Sequence, residues 1–266
     1  MMCADVSRRL DSIVAQELSV TRSQARSLIM EGRVRLDGNP AHKAGQSVRP
    51  GTRVEVERPR RFVSRGGEKL EAALAAFALD VRGVAALDIG ASTGGFTDCL
   101  LARGAAEVTA LDVGYGQLDW RLRNDPRVQV IERTNVRLLP DDAFPQGFDL
   151  IVVDASFISL RTVLERAVTY LRCDGCIVAL VKPQFEVGRA RLGRGGVVRD
   201  PSLHRRVLMD LRDAMPALGL RAVGLAASPL LGPAGNREFF LLLCRSGSAF
   251  EDARIAELVP EAQEHP

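Results

Sequence analysis

Lysine is scarce in this 266-residue chain: Lys43, Lys69 and Lys182 stand against 33 arginines. Where a positive charge only has to be present, arginine supplies it. Each lysine is therefore a candidate for work arginine cannot do, namely giving up a proton when desolvated or placed beside another cation. Long apolar runs are missing too. No stretch reaches the length of a membrane span, and Met1 to Gln16 lacks the apolar segment of a secretion signal, which predicts a cytoplasmic protein with no membrane partner. The five cysteines, Cys3, Cys99, Cys173, Cys176 and Cys244, are scattered and odd in number, against a disulfide framework and in keeping with a reducing compartment. Cys173-Asp-Gly-Cys176 spells C-x-x-C, but a zinc site needs two further ligands at matching spacing, and His42, His204 and His265 lie far apart. No metal is expected, and Asp174-Gly175 reads as a turn before a strand Ile177 to Val181.

The chain is 46% apolar, enough to bury a full core and to form one large domain plus a small one. The net charge of +3 conceals an asymmetry: residues 1–67 carry 13 Arg/Lys against 7 Asp/Glu. Arginine-rich small domains often bind phosphate backbones, and a modest surplus is also common on solvated surfaces. The spacing of Leu10, Ile13, Val14 and Leu18 predicts one helix. A second, capped near Thr21 or Ser23, turns Ala25, Leu28 and Ile29 inward and stops at Gly32. Val34 to Leu36, an Asp37-Gly38 turn and Val54 to Val56 then predict a small sheet. Thr21-Arg22-Ser23-x-Ala25 leading to Gly32-x-Val34-x-Leu36-Asp37-Gly38 resembles the alpha-L RNA-binding domain of the ribosomal S-four type, which implies structured RNA as ligand, with Arg22, Arg26, Arg33 and Arg35 as candidate contacts. The expected division is a small α+β domain over 1–59, a linker over 60–67 and a larger domain over 68–266.

Val84 to Leu101 is a short apolar run that ends in a glycine-rich turn and reopens as an amphipathic helix. Gly90, Gly94 and Gly95 let the main chain turn sharply and approach a ligand closely. The dinucleotide fingerprint Gly-x-Gly-x-x-Gly is lacking, because Ser92 stands where its central glycine would be. The loop is either an ordinary strand-turn-helix corner or a site for a cofactor without pyrophosphate, such as S-adenosylmethionine. Asp112, closing the next β-like run, is placed to accept hydrogen bonds from ribose hydroxyls.

From Val84 onward β-like runs alternate with helical ones: Ala85 to Ile89, Val108 to Leu111, Val128 to Ile131, Leu150 to Val153, Ile177 to Val181, Ala222 to Ala227 and Phe239 to Leu243. This predicts an α/β fold with a mostly parallel sheet. Ser228 to Asn236 is too short for a crossover helix, so the last strand should be antiparallel. Ligands of such sheets bind beyond the carboxyl ends of the strands. Asp154 and Lys182 follow two of those ends, and Glu238 opens the antiparallel strand at the same rim. Lys69, on a helix predicted from about Glu68 to Leu79, can complete a cluster of two ammonium and two carboxylate groups. Two structural ion pairs are the plain alternative. The chemistry that needs such a set is attack of an alcohol on a sulfonium methyl, in which a base removes a weakly acidic hydroxyl proton. A ribose 2′-hydroxyl fits that description.

Val63-Ser-Arg-Gly-Gly-x-Lys69, Asp88-Ile-Gly-Ala-Ser-Thr-Gly-Gly-Phe-Thr97, Asp112-Val-Gly-Tyr-Gly-Gln117, Glu132-Arg-Thr-Asn135, Asp154-Ala-Ser-Phe-Ile-Ser159, Val181-Lys-Pro-Gln-Phe-Glu186 and Gly235-Asn-x-Glu238 together resemble the TlyA family across nearly the whole chain. The resemblance implies an FtsJ-like, Rossmann-like S-adenosylmethionine-dependent methyltransferase domain with a tetrad falling on Lys69, Asp154, Lys182 and Glu238, Lys182 being its base. It implies 2′-O-methylation of cytidine in ribosomal RNA. Extensions before Arg9 and after Arg245 resemble those of longer members, which modify both the small and the large subunit. Candidate cofactor contacts are Asp88, Gly90, Ala91, Ser92, Gly94, Gly95, Phe96, Asp112, Val113, Thr134, Asn135 and Asp154. Candidate RNA contacts beyond the first domain are Arg65 and, in the basic loop Gly188 to Gly196, Arg189, Arg191 and Arg194. No obligate protein partner is implied.

Three rival readings remain. Base methylation on an amino group commonly uses an Asn/Asp-Pro-Pro-aromatic turn, where this chain has Asp154-Ala-Ser-Phe, and methylation on carbon usually needs a nucleophilic cysteine, with Cys99 near the loop. A haemolysin label that the family has also carried would require membrane insertion. A third reading is an RNA-binding scaffold without turnover.

Overall fold

Short apolar strands buried on both faces set the architecture of the larger part of the chain. In a computed structural model of the chain, which describes residues 7–57, 61–188 and 191–260, the backbone divides into two compact units, 1–60 and 61–266.

The first unit opens with β1 (Arg8–Arg9), α1 (Leu10–Leu18) and α2 (Arg22–Met30). Thr21 caps α2 reciprocally with Gln24: its Oγ1 accepts from the Gln24 amide and its own amide donates to Gln24 Oε1. Strands β2 (Val34–Leu36), β3 (Asn39–Pro40), β4 (Ser47–Val48) and β5 (Val54–Val56) follow. They form the sheet β3-β2-β5 and the pair β1-β4. Asp37 and Gly38, both at positive φ, turn β2 into β3. Leu10, Val14, Ala25, Leu28 and Ile29 meet Val34 and Val48 in a small core.

The second unit begins at α3 (Arg65–Ala76), three residues ahead of the sequence expectation. Ser64 caps it by accepting from the Gly66 amide. Gly66 and Gly67, read from sequence as linker, are helical, and any side chain on Gly67 would run into the Phe62 ring. Then come β6 (Ala85–Ile89), α4 (Gly95–Ala102), β7 (Glu107–Leu111), α5 (Trp120–Arg123), β8 (Val128–Ile131), β9 (Phe148–Val153), α6 (Leu160–Ala167), β10 (Leu171–Val181), α7 (Pro183–Glu186), α8 (Pro201–Ala214), β11 (Arg221–Ala227), β12 (Phe239–Cys244) and α9 (Asp252–Leu258). The sheet order is β11-β12-β10-β9-β6-β7-β8, with β12 antiparallel to both neighbours. The turn expected at Asp174-Gly175 is instead a shift of register inside β10 between Leu171 and Cys176, so the C-x-x-C segment is strand.

Each sheet face has its own core. Leu87, Ile89, Ile151, Val153, Ile177 and Val181 pack with α6, α8 and α9, while Ala86, Leu150, Val152, Val178 and Leu180 pack with α3 and α4. Each of the larger aliphatic side chains, fully buried, contributes roughly 1.5–3 kcal/mol. Chain order reverses at β6, flanked by β7 on one side and β9 on the other, and that is where an open α/β sheet offers its crevice.

Candidate active site

The loop after β6 forms the floor of the crevice. Gly90 sits at φ +87, and a Cβ there would lie 2.6 Å from the Asp154 carbonyl oxygen. Only glycine fits both the left-handed backbone and that approach. Across the crevice Asp112 ties two loops together, Oδ2 accepting from the Ser92 amide at 2.8 Å and Oδ1 from the Gly114 amide at 2.6 Å. A carboxylate has about four lone-pair sites, so each oxygen keeps capacity for a ligand hydroxyl. The cleft has a volume of about 470 Å³ and is lined by Gly90, Ser92, Asp112, Val113, Thr134, Asn135 and Asp154, with Phe157 and Ile158 among its apolar walls.

Five of the candidate cofactor contacts do not line this cleft. Asp88 is fully buried beneath the loop, where Thr97 Oγ1 donates to its Oδ2 at 2.7 Å and Oδ1 has no hydrogen-bond partner among the described residues. Burial pushes its carboxyl up to about 7, and the charges of Asp154 and Asp112 add to the rise. Ala91 and Phe96 belong to the core beneath α3 and α4. Gly94 is the left-handed residue before α4, and Gly95 abuts Ser64 and Gly67 at the start of α3. These residues shape the loop from behind.

The four charged residues singled out from the sequence meet at one edge of the sheet. Val181 pairs with Phe239, so in the antiparallel register Lys182 and Glu238 come next, opposite one another. Lys69 Nζ donates to Glu238 Oε2 at 2.5 Å, their side chains 8% and 1% exposed, a pair held almost out of water. Lys182 Nζ lies 2.6 Å from Asp154 Oδ1 as an ion pair whose alignment leaves that oxygen without a hydrogen bond, and Nζ donates instead to Ser156 Oγ at 2.8 Å. Glu186 fixes the backbone on both sides of this contact. Its carboxylate accepts from Ser159 Oγ and from the Leu160 amide, holding the segment after Lys182 to the start of α6.

A fold with this crevice and this edge has known counterparts. The FtsJ-like methyltransferase family matches residues 62–245, and the S4 domain matches residues 8–54. Over 238 residues, 88% of this chain and 89% of the other, the sequence is 52% identical to the 16S/23S rRNA (cytidine-2'-O)-methyltransferase TlyA of Mycobacterium tuberculosis. The chain belongs to the TlyA family. Hemolysin A of Brachyspira hyodysenteriae is 38% identical over 87% of this chain and 97% of its own. A solved structure from Streptococcus thermophilus that also carries a hemolysin name is 40% identical, with a TM-score of 0.73 over 96% of this chain and 95% of that one. Among the described residues of this TlyA-family chain, no helix is long and apolar enough to cross a membrane.

The candidate RNA contacts fall in several groups along the chain. Arg22 and Arg26, on α2, both reach Asp11. Arg33 stands 3.6 Å from Glu31, and exposed Arg35 donates to the Gly38 carbonyl. Arg65, the first residue of α3, is exposed. Arg189 lies outside the described residues, Arg191 is exposed, and Arg194 begins a single tight turn, Arg194–Gly196.

Sequence reasoning assigned no part to three residues of the TlyA-family motifs that the structure puts to use. Ser156 holds Lys182. Phe157 is 90% exposed at φ +64, its ring 5.2 Å from that of Phe185. Asn236, buried, accepts from the Val198 amide and donates to the Gly196 carbonyl, tying the end of the basic loop to the segment before Glu238. All three stand inside the quoted motifs. Their signal was a polar or aromatic residue in a loop that needs neither for its turn.

Proposed function

We propose that this TlyA-family protein methylates the ribose 2′-hydroxyl of cytidine in ribosomal RNA, in both the small and the large subunit, with S-adenosylmethionine as methyl donor. The observation that carries the reading is Lys182, held by Asp154 and Ser156 at the mouth of the cleft, with Glu238 of the buried Lys69–Glu238 pair opposite it in the register.

The cleft fits that cofactor. Gly90 lets the loop after β6 lie against the Asp154 backbone at the floor of the cleft, and Asp112 offers spare lone pairs for ribose hydroxyls. The β6 loop lacks the central glycine a pyrophosphate would need. Gly90, Ser92, Asp112, Val113, Thr134, Asn135 and Asp154 would hold the cofactor. When bound, S-adenosylmethionine supplies a methyl group on a cationic sulfur. Once its ammonium proton has left to solvent, the Lys182 amine takes the 2′-hydroxyl proton onto Nζ as the ribose oxygen attacks, and Asp154 keeps that nitrogen in place and pairs with the ammonium so re-formed. Lys69 and Glu238 complete the polar edge against which the ribose lies. Phe157 presents an aromatic face to an unstacked base beside the reacting sugar.

Methylation on carbon is disfavoured by Cys99, which is buried in the core behind the loop with its thiol pushed up to about 12 by burial. The 16S/23S activity in the name of the M. tuberculosis relative, 52% identical to this chain, supports the subunit range. A ribosomal substrate places the reaction in the cytoplasm.

The test is transfer of labelled methyl from S-adenosylmethionine to isolated small and large ribosomal subunits. Label entering RNA of both is expected. Label in the large subunit alone would narrow the substrate range and overturn the dual assignment, and no transfer to either would overturn the reading.

A further inference from the structure

Asp11 lies in the first turn of α1, yet its side chain is 0% exposed. What covers it is a ring of guanidinium groups. Arg9 forms a fork on it, Nε to Oδ1 at 3.1 Å and Nη2 to Oδ2 at 2.9 Å. Arg22 Nη2 reaches both oxygens, at 3.2 and 3.1 Å, and Arg26 Nε reaches Oδ2 at 3.3 Å. Ser12 Oγ donates to Oδ1 at 3.3 Å. The arginines come from three places: the end of β1, the first residue of α2, and one turn further along the same face of α2.

One forked arginine neutralises the charge of a covered carboxylate and gives each of its oxygens a hydrogen bond. Arg9 already provides that, and its hydrogen bonds are the largest cause holding the Asp11 carboxyl well below the usual carboxylate range. Arg22 and Arg26 are surplus to that need. Bringing them in places three like charges around one opposite charge and orders two long side chains, an arrangement with little stability value of its own. About half of each arginine side chain, 49%, 54% and 55%, remains exposed. The result is a surface carrying two net positive charges whose fork-shaped donors are fixed in direction, the complement of a phosphodiester.

We infer that Asp11 is the positioning residue for the S4-domain arginines Arg9, Arg22 and Arg26 as they meet RNA phosphates, holding the three guanidinium groups in a shared geometry. The inference rests on the RNA substrate proposed above and adds to it a residue that acts through others. Asp11 touches no RNA; without it the arginines repel one another and spread.

This arrangement gives a sign that simple charge attraction does not. Asp11→Asn removes a negative charge from an RNA-facing surface, so attraction by net charge alone would tighten RNA binding. The positioning role requires weaker binding. The experiment measures binding of the full chain to isolated large-subunit ribosomal RNA across a series of KCl concentrations, together with methyl transfer to the same RNA. For Asp11→Asn we expect affinity to fall about tenfold and KM for RNA to rise by a similar factor, with kcat at saturating RNA within about twofold of wild type. Asp11→Glu, which restores the charge, recovers part of the loss. Arg26→Gln leaves the Arg9 fork intact and so keeps the inference testable if Asp11→Asn does not fold. It should lower affinity several-fold and reduce the slope of log affinity against log salt by about 0.7–0.9.

Unchanged or tighter RNA binding by Asp11→Asn, or an Arg26→Gln variant with wild-type affinity and salt slope, would overturn the inference. Failure of the wild type to transfer methyl to any ribosomal RNA, with the binding differences intact, would overturn the proposed reaction and leave the positioning role of Asp11 standing.

Discussion

Gly90 and Asp154 are packed against each other with no room for a methyl group: a Cβ on the glycine would stand 2.6 Å from the aspartate's carbonyl oxygen. The contact follows from the sheet, where Ile89 pairs with Val153 and the Asp154 amide donates to the Ile89 carbonyl at 2.9 Å. Anything that moves the loop after β6 therefore moves the residue whose carboxylate pairs with Lys182.

Gly90→Ala is expected to lose about 1–2 kcal/mol from the left-handed backbone alone, with the collision in addition. Its effect on chemistry should exceed its effect on folding. Calorimetric titration with S-adenosylmethionine should show affinity reduced at least about tenfold in protein that still melts cooperatively. Wild-type affinity in that variant would show that the loop does not cradle the cofactor.

Lys69 and Glu238 form a buried ion pair, and removing either partner strands the other. Glu238→Leu or Lys69→Met alone should destabilise by about 3–5 kcal/mol, while the double replacement should recover most of that loss. Activity should stay low in all three, because the recovered core lacks the polar edge. Denaturant unfolding of the four proteins, paired with methyl-transfer rates, tests this; full activity in the double variant would reduce the pair to a structural one.

Asp88 gives the fold a pH dependence of definite sign. Its carboxyl is raised from 3.8 to about 7, so between those values the folded state holds a proton that the unfolded chain has released. The associated stability is fully present below about pH 3.8 and is lost as pH rises through about 7. Asp88→Asn should flatten this segment of the stability curve, measured by urea unfolding at intervals from about pH 4.5 to about pH 7.5. A variant whose curve parallels the wild type would assign the dependence to other groups.

Much of the second unit is legible because its strands are buried on both faces and read as short, nearly continuous apolar runs. Leu150 to Val153, set between Asp149 and Asp154, is such a run, and the charges at its ends mark where it stops. The convergence of Lys69, Asp154, Lys182 and Glu238 at one edge was also accessible, since strand direction alone fixes which ends share a rim. Other features depend on contacts between segments distant in sequence. Gly66 and Gly67 look like a linker by propensity, yet Phe62 packs on Gly67 and Ser64 caps the helix that contains them. The register shift in β10 cannot be seen in Cys173-Asp-Gly-Cys176, whose composition favours a turn. Asp11 is one acidic residue in a helix's first turn until α2 brings Arg22 and Arg26 to it.

Phe157 is held out into solvent at positive φ, a conformation with no folding advantage for a bulky residue. Phe157→Ala should leave the melting temperature within a few degrees of wild type and lower kcat/KM for RNA at least about tenfold. Unaltered kinetics would show that the ring takes no part in holding the substrate.

Removal of the ribose hydroxyl proton by Lys182 is tested most directly by mapping the methylated nucleotide through alkaline hydrolysis of RNA treated with wild type, Lys182→Ala and Lys182→Arg. Wild type should leave one alkali-resistant linkage per modified site, and both variants should react at rates lower by at least about 10²-fold, since arginine keeps its proton. A wild-type product cleaved by alkali at the methylated nucleotide, or a Lys182→Ala protein that still forms the resistant linkage at the wild-type rate, would contradict that role.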